Sequence, residues 1–500
     1  MDANELRQLV ERQSTMNIFD IFAILYSYCG ELKFDGIYKI VRQALINQNV
    51  EHHVSTLENI LPTQPNALEK LDASIRGLLV ADLFDSNDLG SFDLQCWALL
   101  RAIDSKYDMG PYSLKQSNFS TASQLLNINA DLGRVYPKQS SPIFDMIQQR
   151  IKAWVPPPPK PSQLRRGIDF GHYLRDRLFN LACVNVPQGY ELDFGVLDSA
   201  VRFCFPPNVN DVRIALVPLL DEIKQIKIEL FALDADGKKP WRFTEFVEPR
   251  KVADEAIAAL QRLSKKGVTL VIFNELCMPQ IVREAIAEGL KSNLFPNVKM
   301  VVAGSFHEVV RGECYNVSHI LGPTGQELWQ QKKMQPNTLM HYEAKVIPVL
   351  ADLAAYDSYE NISCTPRVVS VRDTPVGRMV VLICSDLLHD DPYRQMLYDL
   401  NVNFIVVPSM SAKVIPDFPY EAEKFAIRSQ ATTIISNSCA MARELLPARN
   451  KVEVSFAFLP GFPPLRWFRC ATPAGPCDNH QSCEDFVLQL GSWPEGFDKS

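Results

Sequence analysis

From about residue 211 onward, short apolar runs alternate with amphipathic segments of helical period, and this alternation restricts that stretch to an α/β fold. VRIALVPLL, GVTLVIFNE, KMVVAGSF, YNVSHILGPTG, RVVSVRDTPVG, RMVVLICSD, NFIVVPS and TTIISNS read as strands. ADEAIAALQRLSKK, IVREAIAEGLK, PYRQMLYDL and EAEKFAIRSQA read as the helices that cover them. In open α/β sheets, chemistry gathers just past the carboxyl ends of strands, so polar residues at those points come first.

The first part of the chain is a different material. NIFDIFAILYSYC, GIYKIVRQALIN, ALEKLDASIRGLLVADLF and DLQCWALLRAI repeat apolar residues at three- and four-residue spacings, which predicts a helical module over residues 1–153, a candidate for interaction or regulation. No nucleotide or metal motif occurs in it. Trp154 and Val155 are then followed by PPPPKP, whose consecutive prolines break a helix and favour polyproline II. Residues 154–210 therefore read as a proline-rich linker and connecting segment, and 211–500 as the α/β domain with its tail.

Charge and cysteine usage narrow the function classes. With 51 basic and 58 acidic residues the formal charge is −7, so no nucleic-acid partner is expected. The start MDANELRQLVERQ lacks the basic-then-apolar order of a signal peptide, and no apolar run nears the roughly 20 residues of a membrane span. A cytoplasmic protein without a membrane partner is the expectation. The 12 cysteines are scattered, several inside apolar runs, which suits reduced thiols better than a disulfide framework.

Three polar residues stand at strand ends or just beyond: Glu275 after VTLVIF, Lys333 after GQELWQQK and Cys384 after RMVVLI. A carboxylate, an ammonium and a thiol suit attack on a carbonyl-like carbon. The thiol is a nucleophile only as thiolate; the carboxylate can take its proton and the ammonium can stabilise the anions that follow. Each also has a plain reading, as a core thiol, a helix-start carboxylate and half of a solvated Lys332-Lys333 pair.

Over residues 211–490 the sequence resembles the nitrilase, or carbon-nitrogen hydrolase, superfamily. The likeness rests on the order of VTLVIFNEL, VVAGSF, YNVSHILGPTGQELWQQKK, DTPVGRMVVLICSD, NFIVVPS and AIRSQATTIISNS. It implies a four-layer α-β-β-α sandwich in which Glu275, Lys333 and Cys384 are catalytic, Lys332 being the fallback if the register slips by one. A further glutamate supporting the lysine matches Glu360, with Glu343 as competitor. Asp386 matches a structural acid, Asn437 a structural asparagine, and Ser385 would offer its backbone N–H to an oxyanion. The resemblance also implies an amide-like small-molecule substrate, no required cofactor and a homo-oligomer.

Departures from the family pattern are Ser385 where an aromatic residue is common, Arg428 where a glutamate is usual, and His389, Asp390 and Asp391 beyond the nucleophile. The tail carries a separate signal, since Cys470, Cys477, His480 and Cys483 fall within fourteen residues and suggest a structural zinc, or else a loop with incidental thiols. The leading expectation is a cysteine amidohydrolase recruited or regulated by its N-terminal module, through which a protein partner would act. The alternative is a nitrilase-fold scaffold or a signalling or defence effector without turnover.

Overall fold

The computed structural model describes residues 17–31, 49–61, 92–107, 131, 133–138, 178, 180–220, 223–339, 348–389, 392–411, 414, 417–441, 452–460, 465–470 and 486–490. It divides into two compact units, one of Met1–Ser140, Phe144–Gln188 and Pro392–Val402, the other of Ser141–Ile143, Gly189–Asp391 and Asn403–Ser500.

In the first unit, helices Ile18–Glu31, Asn49–Ile60 and Phe92–Lys106 accompany an antiparallel pair, β1 Arg134–Pro137 with β2 Leu181–Val184. Asn17 caps the first helix, its Oδ1 accepting the N–H groups of Phe19 and Asp20 while Asp20 accepts the N–H of Asn17. Phe19, Phe22, Ile24, Trp97, Leu100, Ile103, Val135 and Leu181 share one apolar core. Asp104, near the end of the third helix, accepts the N–H groups of Asn180 and Leu181 and so fixes where β2 starts.

The second unit starts earlier than the sequence pattern suggested. β3 Tyr190–Val196 lies inside the segment 154–210, read above as linker, and pairs in parallel with β14 Arg367–Thr374. Its side chains are only partly buried, so the strand lacks the apolar run that marks its neighbours. β2 likewise lies inside that segment, and the domain boundary falls at about residue 188. The proline run itself lies outside the described residues.

After β3 come β4 Arg213–Val217, β5 Ile226–Leu230, β6 Lys239–Phe246, β7 Leu270–Phe273, β8 Met300–Val302, β9 Phe306–Val310 and β10 Glu313–Leu321. β11 Glu327–Lys332, β12 Thr338–Leu339 and β13 Ser358–Glu360 precede β14, followed by β15 Gly377–Val381 and β16 Phe404–Ser409. β17 Thr432–Asn437, β18 Val452–Phe458, β19 Leu465–Cys470 and β20 Val487–Gln489 complete the set. One seven-stranded sheet runs β11-β10-β8-β7-β4-β20 with β9 on β10, and another runs β19-β18-β17-β16-β15-β14-β3. A smaller sheet runs β12-β13-β6-β5.

Period-two alternation builds the layers. Ala215, Val217, Val271, Phe273, Val301 and Ala303 pack with Val252, Ala256 and Leu260 of helix Pro249–Lys265 and with Val282, Ile286 and Leu290 of helix Gln280–Lys291. The opposite face meets the second sheet, where the Ser436 hydroxyl donates to the Ile272 carbonyl and the Gln331 amide to the Val368 carbonyl. Helix Asp417–Ser429 lies against β17 and β18. The result is a mixed α/β sandwich with helices outside and two sheets inside. No helix among the described residues is long and apolar enough to cross a membrane.

Candidate active site

β7 delivers Glu275. The Asn274 side chain accepts the Leu219 N–H at 2.7 Å and donates to the Glu275 carbonyl at 2.9 Å, pinning the strand end. Gly304, at φ +47°, closes the neighbouring end of β8; a Cβ there would stand 2.1 Å from the Asn274 carbonyl oxygen, so glycine alone permits this approach. Lys333 follows β11, its backbone N–H donating to the Asn316 carbonyl of β10 at 2.8 Å. Glu360 closes β13.

These three side chains meet. The Lys333 ammonium donates to Glu275 Oε1 at 2.8 Å and to Glu360 Oε2 at 2.7 Å, and all three side chains are at most 3% exposed. Asn316 donates to both carboxylates, at 3.1 Å to Glu275 and 2.8 Å to Glu360. Glu360 also accepts the Asn337 N–H at 2.9 Å and contacts His307 Nε2 at 2.8 Å, so each of its oxygens has two partners. Burial favours its protonated form, but Lys333 and His307 overrule that and hold the carboxyl well below the usual carboxylate range. Burial would also discharge Lys333, and Glu275, Glu360 and Cys384 instead hold its pKa well above the ordinary lysine value.

Cys384 sits one turn past β15, on a short 3-10 turn, with φ +48°. A non-glycine residue there carries strain of about 1–2 kcal/mol, and such strain gathers at functional sites. The Ser409 hydroxyl donates to its sulfur at 3.4 Å. Burial and the Glu275 charge push the thiol up to about 12, while Lys333, Ser409 and the Met410 N–H draw it back. The same Met410 N–H donates to Glu275 Oε2 at 3.0 Å, so one backbone group faces both carboxylate and sulfur. In the resting site the thiol carries its proton.

The elbow is braced from below. Asp386 accepts the N–H groups of Ile383, Met334 and Gln335, which ties the turn after β15 to the residues after Lys333. Its burial raises the carboxyl to about 7 against the pull of Lys333 and those N–H groups. Asn437 accepts the Ser411 N–H at 2.7 Å and donates to its carbonyl at 2.9 Å, holding the chain beyond β16. Ser385 is buried and its hydroxyl has no hydrogen-bond partner.

Of the sequence candidates, Glu275, Lys333 and Glu360 meet through direct bonds, and Cys384 joins them through Met410 and through the charges its thiol feels. Lys332 points elsewhere, its ammonium lying 3.6 Å from the centre of the Tyr315 ring. Glu343, Asp390, Asp391, Cys477, His480 and Cys483 lie outside the described residues, as does the side chain of Cys470. Among the described residues no group of three or more His, Cys, Asp or Glu side chains could hold a metal. The sequence reading missed His307, Asn316, Ser409 and the Met410 N–H. Asn316 and His307 stand opposite each other in the β9–β10 register, polar residues at buried positions of apolar strands, and that mismatch was the available signal.

No protein-family model matches the chain, and no curated protein matches its sequence. Among solved structures, an amidase from Nesterenkonia sp. is similar at 15% identity, with a TM-score of 0.32 over 53% of this chain and 88% of that one. Nit3 of Saccharomyces cerevisiae, a member of branch 10 of the nitrilase superfamily, is similar at 15% identity, with a TM-score of 0.30 over 50% of this chain and 82% of that one. A mutant of the amidase from Nesterenkonia sp. AN1, with the acetamide moiety of fluoroacetamide covalently added at the active-site cysteine, is similar at 14% identity, with a TM-score of 0.31 over 53% and 88%. At such scores the likeness carries no functional weight; the side-chain geometry does.

Proposed function

We propose that this chain is a nitrilase-type cysteine hydrolase that cleaves a non-peptide C–N bond of an amide-like small molecule through a thioacyl intermediate. The observation that carries the reading is the buried Lys333 ammonium held between Glu275 and Glu360, with the strained Cys384 thiol feeling both Lys333 and Glu275. Glu275 takes the Cys384 proton as the sulfur attacks the carbonyl carbon. Lys333 uses two of its three N–H donors on carboxylates and has the third for the developing oxyanion, joined by the backbone N–H of Ser385. The C–N bond then breaks, and its electron pair leaves with the amine, which takes the proton from Glu275. Water attacks the thioester, Glu275 receives its proton, and the C–S bond breaks to return the thiol and a free acid. Every proton in this cycle is handled by the protein's own side chains.

The resting thiol at about 12 fits this scheme, because the proton moves to Glu275 only when the acyl carbon arrives. p-Nitrophenyl acetate tests it: attack by Cys384 releases p-nitrophenolate in a burst and leaves an acetyl thioester. The Cys384→Ala variant should keep the wild-type melting temperature and lose the burst by at least about a thousandfold. Equal bursts from both proteins, with no acetyl group on Cys384 by mass spectrometry, would sink the reading. Ammonia release from short amides, ureido compounds and nitriles by wild type and not by the variant would sort the substrate class.

The first unit has a regulatory role in this reading. Its support is connectivity, since eight residues past Cys384 the chain enters Pro392–Val402, which belongs to the first unit and whose helix Tyr393–Asp399 packs on β2. Replacing the buried Leu397 by alanine should change the burst rate by about threefold or more, whereas an unchanged rate with a lowered melting temperature would leave that unit passive.

A further inference from the structure

His307 was no part of the sequence candidates, yet its contact with Glu360 is as buried as that of Lys333. It lies on β9, its side chain 1% exposed, between Glu360 and the backbone of β6. Its Nε2 is 2.8 Å from Glu360 Oε1, and its Nδ1 accepts the Phe243 N–H at 2.8 Å. The Phe243 carbonyl is further from Nδ1, at 3.2 Å. A nitrogen that accepts a backbone N–H carries no proton of its own, so the proton of the neutral ring sits on Nε2 and is donated to Glu360. The Trp241, Phe243 and Phe306 rings surround the imidazole and hold it in this orientation.

We infer that His307, as the Nε2–H tautomer, is a positioning residue that keeps Glu360 a carboxylate and thereby keeps Lys333 charged and aimed while Glu275 carries the Cys384 proton. The inference rests on the function proposed above and deepens it. At rest Lys333 has two anionic partners. Once Glu275 is protonated, one of those anions is neutral, and Glu360 alone balances the buried ammonium at the moment the oxyanion forms. Glu360 can do this only while all its oxygens face donors. Lys333, Asn316 and the Asn337 N–H supply three, and His307 supplies the fourth.

Two amide substitutions separate this role from simple packing. In His307→Gln the side-chain amide reaches the place of Nε2 and can still donate to Glu360. In His307→Asn the amide falls near Nδ1, meets the Phe243 N–H and loses Glu360. The burst with p-nitrophenyl acetate is read as a rate constant and a half-saturating concentration, using full-length protein with melting temperatures alongside. The expected result is a burst rate constant about tenfold lower in His307→Asn with half-saturation unchanged, and a rate within about threefold of wild type in His307→Gln. Equal rates in the two variants would overturn the inference, whether both are fast or both slow, and so would a loss confined to half-saturation. If one variant fails to fold, the other decides alone: a His307→Gln burst rate about tenfold or more below wild type, or a wild-type rate in His307→Asn, would overturn the inference. Absence of any Cys384-dependent burst in wild type is a separate outcome, because it would strike the proposed hydrolase and not the role of His307 within it.

Discussion

His307 and Glu308 are neighbours on β9, and because side chains alternate along a strand they serve two clusters of matching composition on opposite faces of one sheet. The inner cluster joins His307, Glu275, Glu360 and Lys333. The outer one joins His319, Glu308, Glu327 and Arg283, with His319 Nε2 2.9 Å from Glu308, its Nδ1 2.5 Å from Glu327, and Arg283 paired to Glu308. Each has one imidazole, two carboxylates and one cation. They differ in burial: the inner side chains are at most 3% exposed, whereas Glu327 is 47% exposed. Water reaches the outer cluster through the half-exposed Glu327 and the edges of Arg283 and Glu308, so it acts as a modest staple between helix Gln280–Lys291 and the strands β9, β10 and β11. In the inner cluster no solvent relieves an error: Glu360 is held by four donors, Glu275 by three, and Lys333 by the two carboxylates. The two sets differ in residue type only at the cation, Lys333 against Arg283; what sets the inner one apart is desolvation and the Cys384 thiol whose charge environment it shapes.

The contrast can be broken by removing the cation from each. Lys333→Leu strands two buried carboxylates and should cost about 3–5 kcal/mol in denaturant unfolding, whereas Arg283→Leu should cost about 1 kcal/mol or less. Comparable costs would show that burial does not separate the clusters. Next in size is Glu360→Gln, whose amide nitrogen meets two donors whichever way it is turned, Lys333 and the Asn337 N–H or His307 and Asn316. A loss of about 2–3 kcal/mol is expected, with a slowed Cys384 burst; retention of both would show that the carboxylate charge is dispensable.

A pH series sharpens the outer cluster. Burial lowers the His319 pKa, but the hydrogen bonds its ring donates to the Glu308 and Glu327 carboxylates outweigh it and raise the imidazole above its ordinary 6.5. Its stabilisation is therefore fully present below 6.5 and fades as pH rises through the raised value. Glu308 and Glu327 lie below their ordinary 4.5, so their share is present above 4.5 and fades as pH falls. The melting-temperature gap between wild type and His319→Gln should be widest between those limits, worth about 1 kcal/mol, and should narrow towards pH 9. A gap that is flat with pH would show that His319 contributes packing alone. The smallest effect is expected from Glu327→Gln, a few tenths of a kcal/mol in low salt that disappears at about 1 M salt, read by the same melts.

Much of this is legible in the amino-acid sequence. The apolar runs from VRIALVPLL to TTIISNS became β4, β7, β8, β10, β14, β15, β16 and β17; the most continuous of them, β4, β7, β8, β15 and β16, are those whose residues are almost all buried. Glu275, Lys333 and Cys384 stood out as polar residues where such runs stop. β3 escaped notice because it is a half-exposed edge strand, and β5 and β6 because their burial depends on the small sheet they form with β12 and β13. His307, between Phe306 and Glu308, and His319, between Ser318 and Ile320, each read only as a histidine within a strand, and nothing local says which one meets the buried lysine.

What the chain determined alone was periodicity and the order of its polar interruptions, since these depend only on neighbours a few residues away. The tertiary structure decided which interruptions converge: Lys333 reaches Glu275 across 58 positions and Glu360 across 27, and Met410 reaches Glu275 across 135. Such pairings are set by how two sheets stack and where their strands end. Only that stacking removes the water that would otherwise screen Glu275, Lys333 and Glu360 from one another and from the Cys384 thiol.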